Sequence, residues 1–288
     1  MKKTICAVIA VKNEQKNIAR CLNSLSNVVD HILVVDSASQ DDTVVIAEGY
    51  GAEVIQFKKN NGYPKKRQFA LNSLCDNFDY AMLIDADEVI SDMLANEIRE
   101  ILNGKSDASV FFARKSFHFL GKRLKYGGFD FFAAFVVKPS LVKFEDLGEV
   151  VQNGLDMEVH ERILFEGKSA KLRGHIIHED FNGISRYWTK HLRYAEWEAS
   201  IRDLQFTKSS SNIIKPSLLG NLQQRRRYIK SLIANRHIEP FIWFFYHYFW
   251  RLGFLEGYRG YLASIIRANY ILMIHSLRHE IRLRQNAE

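Results

Sequence analysis

Two carboxylates one residue apart, Asp85 and Asp87, close the apolar run Tyr80-Ala81-Met82-Leu83-Ile84. Alternate residues of a strand point to one face, so the pair can converge where such a strand ends. Hard oxygen ligands of this kind suit Mg2+ or Mn2+, and a divalent cation in turn neutralises a diphosphate. Asp also tolerates turn geometry, so the tripeptide alone fits a plain strand-to-turn transition as well. Its context favours chemistry. Val11-Lys12-Asn13-Glu14 and Asp36-Ser37 each follow an earlier apolar run, and Arg67 offers a guanidinium that forks well onto oxyanions. The duller readings are a loop cap for Asp36, a helix cap for Asn13 and Glu14, and a solvated face shared with Lys65 and Lys66 for Arg67.

The elements that must position these residues alternate regularly. Strand-length apolar runs cover 4–11, 31–35, 53–57 and 80–84, and helical spacing covers 15–25, 43–50 and 65–74. Strands separated by single helices predict an α/β architecture with a mainly parallel sheet. In such sheets ligands collect at the carboxyl ends of the strands, where all three polar clusters fall. A helix over 92–104 and strands over 108–114 and 131–138 follow, with a turn at Tyr126-Gly127-Gly128-Phe129 and an acidic, irregular stretch over 145–160. From Ser185 helical periodicity returns, through Tyr187, Leu192, Tyr194 and Trp197. The expected partition is a catalytic domain over 1–182 and a helical, basic and aromatic region over 183–288.

Composition bounds the partners. Residues 1–110 hold 12 Lys and Arg against 16 Asp and Glu; the remainder holds 28 against 17, so the formal charge of +7 belongs to the C-terminal part. Such a surface suits anionic lipid, a phosphorylated acceptor or nucleic acid. Nucleic acid is disfavoured, because the aromatics come in solid blocks without the pattern of an RNA module. Cys6, Cys21 and Cys75 have no metal-ligand spacing and read as small buried hydrophobes of a reducing compartment. No secretory leader is read at the start, and the apolar run 240–250 is too short to span a bilayer. A cytoplasmic protein is expected, peripheral on the inner face of the membrane.

Six segments then match one pattern in order: Ala10-Val11-Lys12-Asn13-Glu14, Val34-Val35-Asp36-Ser37-Ala38-Ser39, Lys65-Lys66-Arg67-Gln68-Phe69-Ala70, Leu83-Ile84-Asp85-Ala86-Asp87-Glu88, Gly127-Gly128 and Val159-His160-Glu161-Arg162. Through them the chain resembles the inverting family 2 glycosyltransferases of GT-A fold. Among these it is most similar to the bacterial lipopolysaccharide-core β-glucosyltransferase group, whose tail also resembles Leu252-Gly253-Phe254-Leu255-Glu256-Gly257. The resemblance implies a GT-A fold with a helical C-terminal extension and a nucleotide-diphosphate sugar, UDP-hexose, lying across the sheet edge. Val11, Asn13, Glu14, Asp36, Ser37, Arg67 and Asp85 would then bind substrate, and Asp87 would hold Mg2+ or Mn2+. It also implies a later histidine near the metal. Of His175 and His178, alternation favours His178, which faces away from Ile177 and adjoins the acidic turn Glu179-Asp180.

Inverting displacement needs a base opposite the leaving group, and a carboxylate is the usual solution. Glu161 is the candidate and Asp130 the rival, with Asp146 and Glu149 behind them. The stretch 147–158 is longer and more polar than the group's pattern, which bears on Glu161, and a salt bridge to Arg162 or Arg173 is its structural alternative. The implied function is transfer of a hexose, glucose from UDP, to a lipopolysaccharide or lipooligosaccharide core or related glycolipid. The competing readings are transfer to another cell-surface polysaccharide and a non-catalytic lipid-binding protein with a degenerate nucleotide fold. A Rossmann dehydrogenase is disfavoured, since no G-x-G-x-x-G follows the first strand. The blocks Arg225-Arg226-Arg227 and 241–251 suit either a membrane interface or packing.

Overall fold

Seven consecutive buried residues, Ile5–Val11, make strand β1, a run apolar on both faces as a sheet covered by helices requires. In this computed structural model of the chain the described residues are 3–58, 64–74, 77–145, 163–180, 182–204, 217–220, 222–234 and 236–285. They form two compact units.

The first unit alternates as expected at its start. After β1 come α1 (Ile18–Leu25), β2 (His31–Asp36), α2 (Thr43–Gly49), β3 (Glu53–Gln56), α3 (Lys66–Leu74) and β4 (Tyr80–Ile84). A short β5 (Glu88–Ile90) leads into α4 (Asp92–Leu102), β6 (Val110–Phe119), β7 (Lys122–Arg123), β8 (Phe131–Val137), β9 (Val142–Phe144), β10 (Ile163–Phe165) and β11 (Ser169–His178). The main sheet runs β3-β2-β1-β4-β8-β6-β11-β5, with β7 on β6. β1, β2, β3 and β4 are mutually parallel, as are β6 and β11; β8 runs antiparallel to β4 and β6, and β5 to β11. One core face carries Ile9, Leu22, Met82 and Phe135 against α1 and α4, the other Val8, Leu71, Leu83 and Val137 against α3.

β6 extends five residues beyond the strand expected over 108–114, because Lys115 pairs with both β8 and β11, β11 continues to Phe117, and β7 pairs the last two residues. Gly174 lies where β11 shifts register against β6 and passes α4; a Cβ there would meet the Leu94 backbone at 2.5 Å. Around it Ser91 donates its N–H to the His175 carbonyl, and its Oγ accepts from His175 N–H at 3.2 Å. These contacts fix the register of the last four residues of β11.

The second unit contains α5 (Ile184–Leu204), α6 (Leu222–Ile233), α7 (Glu239–Phe245) and α8 (Tyr258–Gln285), with a π-helical turn over Tyr246–Trp250 and a 3-10 turn over Gly253–Glu256. Its core joins Ala195 and Ala199 of α5 to Tyr270, Ile271 and Ile274 of α8. Beside it Arg202 donates to Glu198 and Glu239, while His275 and the Trp243 indole also reach Glu239. Such buried charges are tolerated because each is paired.

Leu124–Phe129 packs with this helical unit although it lies between β7 and β8 in sequence. Glu256 Oε1 accepts from the N–H groups of Lys125 and Tyr126 at 2.6 and 2.9 Å. Gly127 donates its N–H to the Arg251 carbonyl, and its own carbonyl accepts from His247 Nδ1 at 2.6 Å. The segments Gly127-Gly128 and Leu252–Gly257, separate in the sequence reading, are therefore one piece of structure.

Candidate active site

The carboxyl ends of β1, β2 and β4 lie side by side because the three strands are parallel neighbours. The loops leaving β1 and β2 are stitched together. Asp36 accepts from Ser39 N–H at 3.0 Å and from Ser39 O–H at 2.5 Å; Ser39 Oγ in turn accepts from Asn13 N–H at 2.8 Å. Asn13, held at φ 56°, returns the favour through its amide oxygen to Gln40 N–H. Asn is among the few residues that adopt this left-handed conformation readily. The Asp36 carboxylate thus serves as a loop cap here. The Ser37 hydroxyl, two residues from Ser39, is buried and has no hydrogen-bond partner among the described residues.

Glu14 accepts at Oε2 from the side-chain amides of Asn17 and Asn182, and Asn17 also donates to Asp180. Arg20 holds the next residue back, donating to the Glu179 carboxylate and carbonyl. Glu14 is therefore tied to the turn that follows β11 and fastens that turn to the start of α1.

At the end of β4 the chain turns sharply: Glu88 N–H donates to the Asp85 carbonyl, and Glu88 Oε2 accepts from Asp85 N–H. β5 then pairs antiparallel with β11, setting His178 opposite Glu88. His178 Nδ1 lies 3.2 Å from Glu88 Oε1, and its Nε2 lies 3.7 Å from Asp87 Oδ2. Asp87, Glu88 and His178 together offer three donor atoms within 4.8 Å of one another.

Lys115 of β6 inserts its ammonium between Asp85, at 3.1 Å, and Glu88, at 2.5 Å. Arg67 of α3 takes the other oxygen of Asp85. Burial penalises the charged form of Asp85, yet Arg67 and Lys115 hold its carboxyl well below the usual range. Glu88 is buried outright and likewise stays ionised, burial being outweighed by Lys115. Burial disfavours the His178 imidazolium, but Asp87 and Glu88 push it up to about 9. Three carboxylates therefore face three cations when His178 is protonated.

This donor set fits a divalent cation. Two ligands of one ion, at about 2.1 Å each, stand roughly 3–4 Å apart, as Asp87 Oδ2 and His178 Nε2 do. A metal-binding imidazole normally gives its other nitrogen to a carboxylate, and Glu88 occupies that position. Glu88 is otherwise engaged with Lys115 and the Asp85 amide, so Asp87 and His178 would be the ligands of such an ion, with Glu88 supporting them.

The remaining expected residues lie as follows. Val11 accepts from the Lys66 ammonium at 3.0 Å through its carbonyl, and Lys66 is buried, so Lys66 is no part of a solvated face. Arg67 reaches Asp85 rather than standing free for a ligand. Asp130 accepts from Phe117 N–H at 3.0 Å and lies 3.5 Å from Arg123. His175, three residues before His178, is not in the acidic cluster. Glu161, Asp146, Glu149 and Cys75 lie outside the described residues. Glu88 and Lys115 belong to the site and were not singled out from sequence.

Residues 6–145 match the family model described as Glycosyl transferase family 2. A protein of Rickettsia felis named as an uncharacterized glycosyltransferase is 52% identical over 97 residues, 34% of this chain and 33% of that protein, so this match spans about a third of its length. A Rickettsia typhi protein of the same description is 29% identical over 277 residues, 92% of this chain and 83% of its own length. Among solved structures, glucosyl-3-phosphoglycerate synthase of Mycobacterium tuberculosis, in complex with Mn2+, UDP and glucosyl-3-phosphoglycerate, overlays with a TM-score of 0.39 at 20% identity. The overlay covers 72% of this chain and 82% of that one, a likeness too partial to argue from. The sheet order and the family match together make this a GT-A-like α/β fold with a mostly parallel sheet and a helical C-terminal region.

Proposed function

We propose that this chain, whose residues 6–145 match the Glycosyl transferase family 2 model, is an inverting hexosyltransferase of that family using a nucleotide-diphosphate sugar. The observation that carries the reading is Asp87 facing His178 across 3.7 Å at the carboxyl edge of the sheet, with Glu88, Lys115 and Arg67 bracing the pair. The Rickettsia relatives named as glycosyltransferases support the reaction class. A divalent ion held by Asp87 and His178 would stabilise charge on a departing diphosphate.

The chain's own residues supply the rest. Asp85 is locked to Arg67 and Lys115, which keeps the turn rigid and leaves Asp87 to present its oxygens. The buried, unpartnered Ser37 hydroxyl at the end of β2 is suited to a ribose or base group of the donor. In the displacement an acceptor oxygen bonds to the anomeric carbon as the carbon–oxygen bond to the diphosphate breaks, and the acceptor proton passes to a carboxylate. Glu161 is the proposed base. Asp130, its rival, already accepts the Phe117 N–H and lies 3.5 Å from Arg123, so both of its oxygens are engaged within the unit.

Glucose as the sugar, UDP as the carrier and a lipopolysaccharide-core glycolipid as the acceptor are proposed from the six ordered segments resembling that group. The test is nucleoside diphosphate release by purified protein with Mn2+ or Mg2+, a panel of nucleotide sugars and a glycolipid acceptor. Metal-dependent UDP release is expected, lowered by about 10²–10³ in Asp87→Asn with the fold intact. Turnover of Asp87→Asn at the parent rate would remove the metal role, and no release from any nucleotide sugar would overturn the transferase reading.

A further inference from the structure

The second unit carries an apolar surface that its own core does not use. Phe241, Phe245 and Phe249 recur every four residues along α7 and the π-helical turn, so they share one face. They are 67%, 58% and 50% exposed, and Trp250 beside them is 80% exposed. After the turn come Leu255 and Tyr258, both exposed as well. The connection runs through Leu252 at φ 59°, a left-handed conformation that a bulky side chain rarely adopts. Strain of this kind persists where surrounding structure imposes it and often marks a functional surface. Here it turns the chain after Trp250, and Tyr248 and Phe254 meet across it with ring centroids 6.3 Å apart.

Charge identifies what this surface meets. Over residues 236–261 the acidic side chains, Glu239 and Glu256, are buried and hydrogen-bonded inside the unit, whereas Arg236, Arg251 and Arg259 are exposed. Residues 184–288 as a whole hold 17 Lys and Arg against 7 Asp and Glu, more than the entire excess of the chain. Exposed Trp, Tyr and Phe in a segment whose exposed side chains include arginines and whose acids are buried are what the headgroup layer of an anionic bilayer accommodates: rings enter the interface and guanidinium groups meet phosphates. Among the described residues no helix is long and apolar enough to cross a membrane, so the surface would lie on the bilayer rather than span it.

We propose that the face formed by Phe241, Phe245, Phe249, Trp250 and Tyr258, with Arg236, Arg251 and Arg259, docks the protein on an anionic lipid bilayer. This deepens the proposed function by supplying the surface on which a glycolipid acceptor would be met, yet it is measured without any sugar transfer. The experiment is co-sedimentation of the full chain with vesicles of phosphatidylcholine alone or with about a third phosphatidylglycerol. Binding is expected to the anionic vesicles, weakened about fivefold by Arg236→Gln. It should weaken at least about tenfold in Trp250→Ser/Tyr258→Ser, whose exposed side chains leave circular dichroism and melting temperature unchanged. Brominated lipid should quench the parent's fluorescence and spare Trp250→Phe in proportion to the missing indole. Parent protein that stays in the supernatant with both vesicle types, or a double variant that pellets like the parent, overturns the proposal. So does a self-association in sedimentation velocity that the double variant abolishes without lipid binding by either form, because the face would then cover a second copy of the chain.

Discussion

Replacing Lys115 by Met should destabilise the first unit severely, and replacing Glu88 as well should restore much of the loss. The Lys115 ammonium is the internal counter-ion of two carboxylates, 3.1 Å from Asp85 and 2.5 Å from Glu88. At these separations the contacts are worth about 5–7 kcal/mol each of gross attraction in an effective dielectric near 20. The net cost of removing one partner is smaller, about 3–5 kcal/mol, and most of it is the charge left behind without compensation. Glu88 bears most of that cost, since its side chain is 0% exposed and would keep only His178, itself shared with Asp87, as counter-ion. Methionine keeps the stem's volume, so packing changes little. At roughly 2–4 °C per kcal/mol the melting temperature should fall by about 10 °C. Lys115→Met/Glu88→Gln removes the stranded charge, and a double-mutant cycle should return a coupling of about 2 kcal/mol or more. All four tryptophans, Trp188, Trp197, Trp243 and Trp250, follow residue 184. Urea melts should therefore be read by far-ultraviolet circular dichroism and by hydrogen exchange in β1 and β4, not by fluorescence alone. A single variant within about 1 kcal/mol of the parent, or a double variant no better than the single, would refute this account of the site.

Metal affinity should rise with pH across the range up to about 9, where His178 loses its proton. A metal must displace that proton, so Mn2+ titrations followed by calorimetry should gain at most about tenfold per pH unit. In metal-free protein the sign reverses: pairing with Asp87 and Glu88 stabilises the fold fully below the imidazole's ordinary value and is lost as pH rises through about 9. His247 behaves oppositely, because burial pulls it down to about 4. It donates from Nδ1 to Gly127, and its Nε2 is buried without a partner among the described residues. The second unit should therefore lose stability as pH falls from about 6.5 towards 4, by up to about 3 kcal/mol; tryptophan-detected melts check this, and His247→Phe should flatten the profile. Gly174→Ala would drive a methyl against the Leu94 backbone at 2.5 Å. It should cost about 2 kcal/mol or more and weaken Mn2+ binding by shifting His178, while Gly49→Ala, with open space around it, should leave binding unchanged.

Much of the first unit was legible because its strands are short apolar runs punctuated by turn residues. β4 lies at the expected Tyr80–Ile84, and the first three strands differ by a residue at one end. Alternation along β11 also sets His178, not His175, opposite the acidic turn. Glu88 was passed over because an acidic residue after Asp87 reads as loop, and its burial depends on pairing with a strand ninety residues away in the chain. Lys115 was missed because the apolar signal of β6 ends at Ala113, while the strand continues on the strength of its two neighbours. Lys66 sits in a run of three basic residues that looks solvated; only the approach of the Val11 carbonyl reveals that its amine points inward. Local patterns record what a segment prefers, and these three residues depend on partners distant in sequence.

The helical unit includes Leu124–Phe129, which the chain delivers from between two strands of the sheet. Removing everything after residue 183 would therefore not lift off a self-sufficient appendage. It would strand three backbone amides and one carbonyl at Lys125, Tyr126 and Gly127, whose partners Glu256, Arg251 and His247 would be gone. A module so threaded cannot be exchanged between relatives by simple fusion at its boundary; the loop has to travel with the tail. Insertions tolerated elsewhere on the surface should be rejected in these six residues, and variation there should track variation in the turn around Gly253–Glu256.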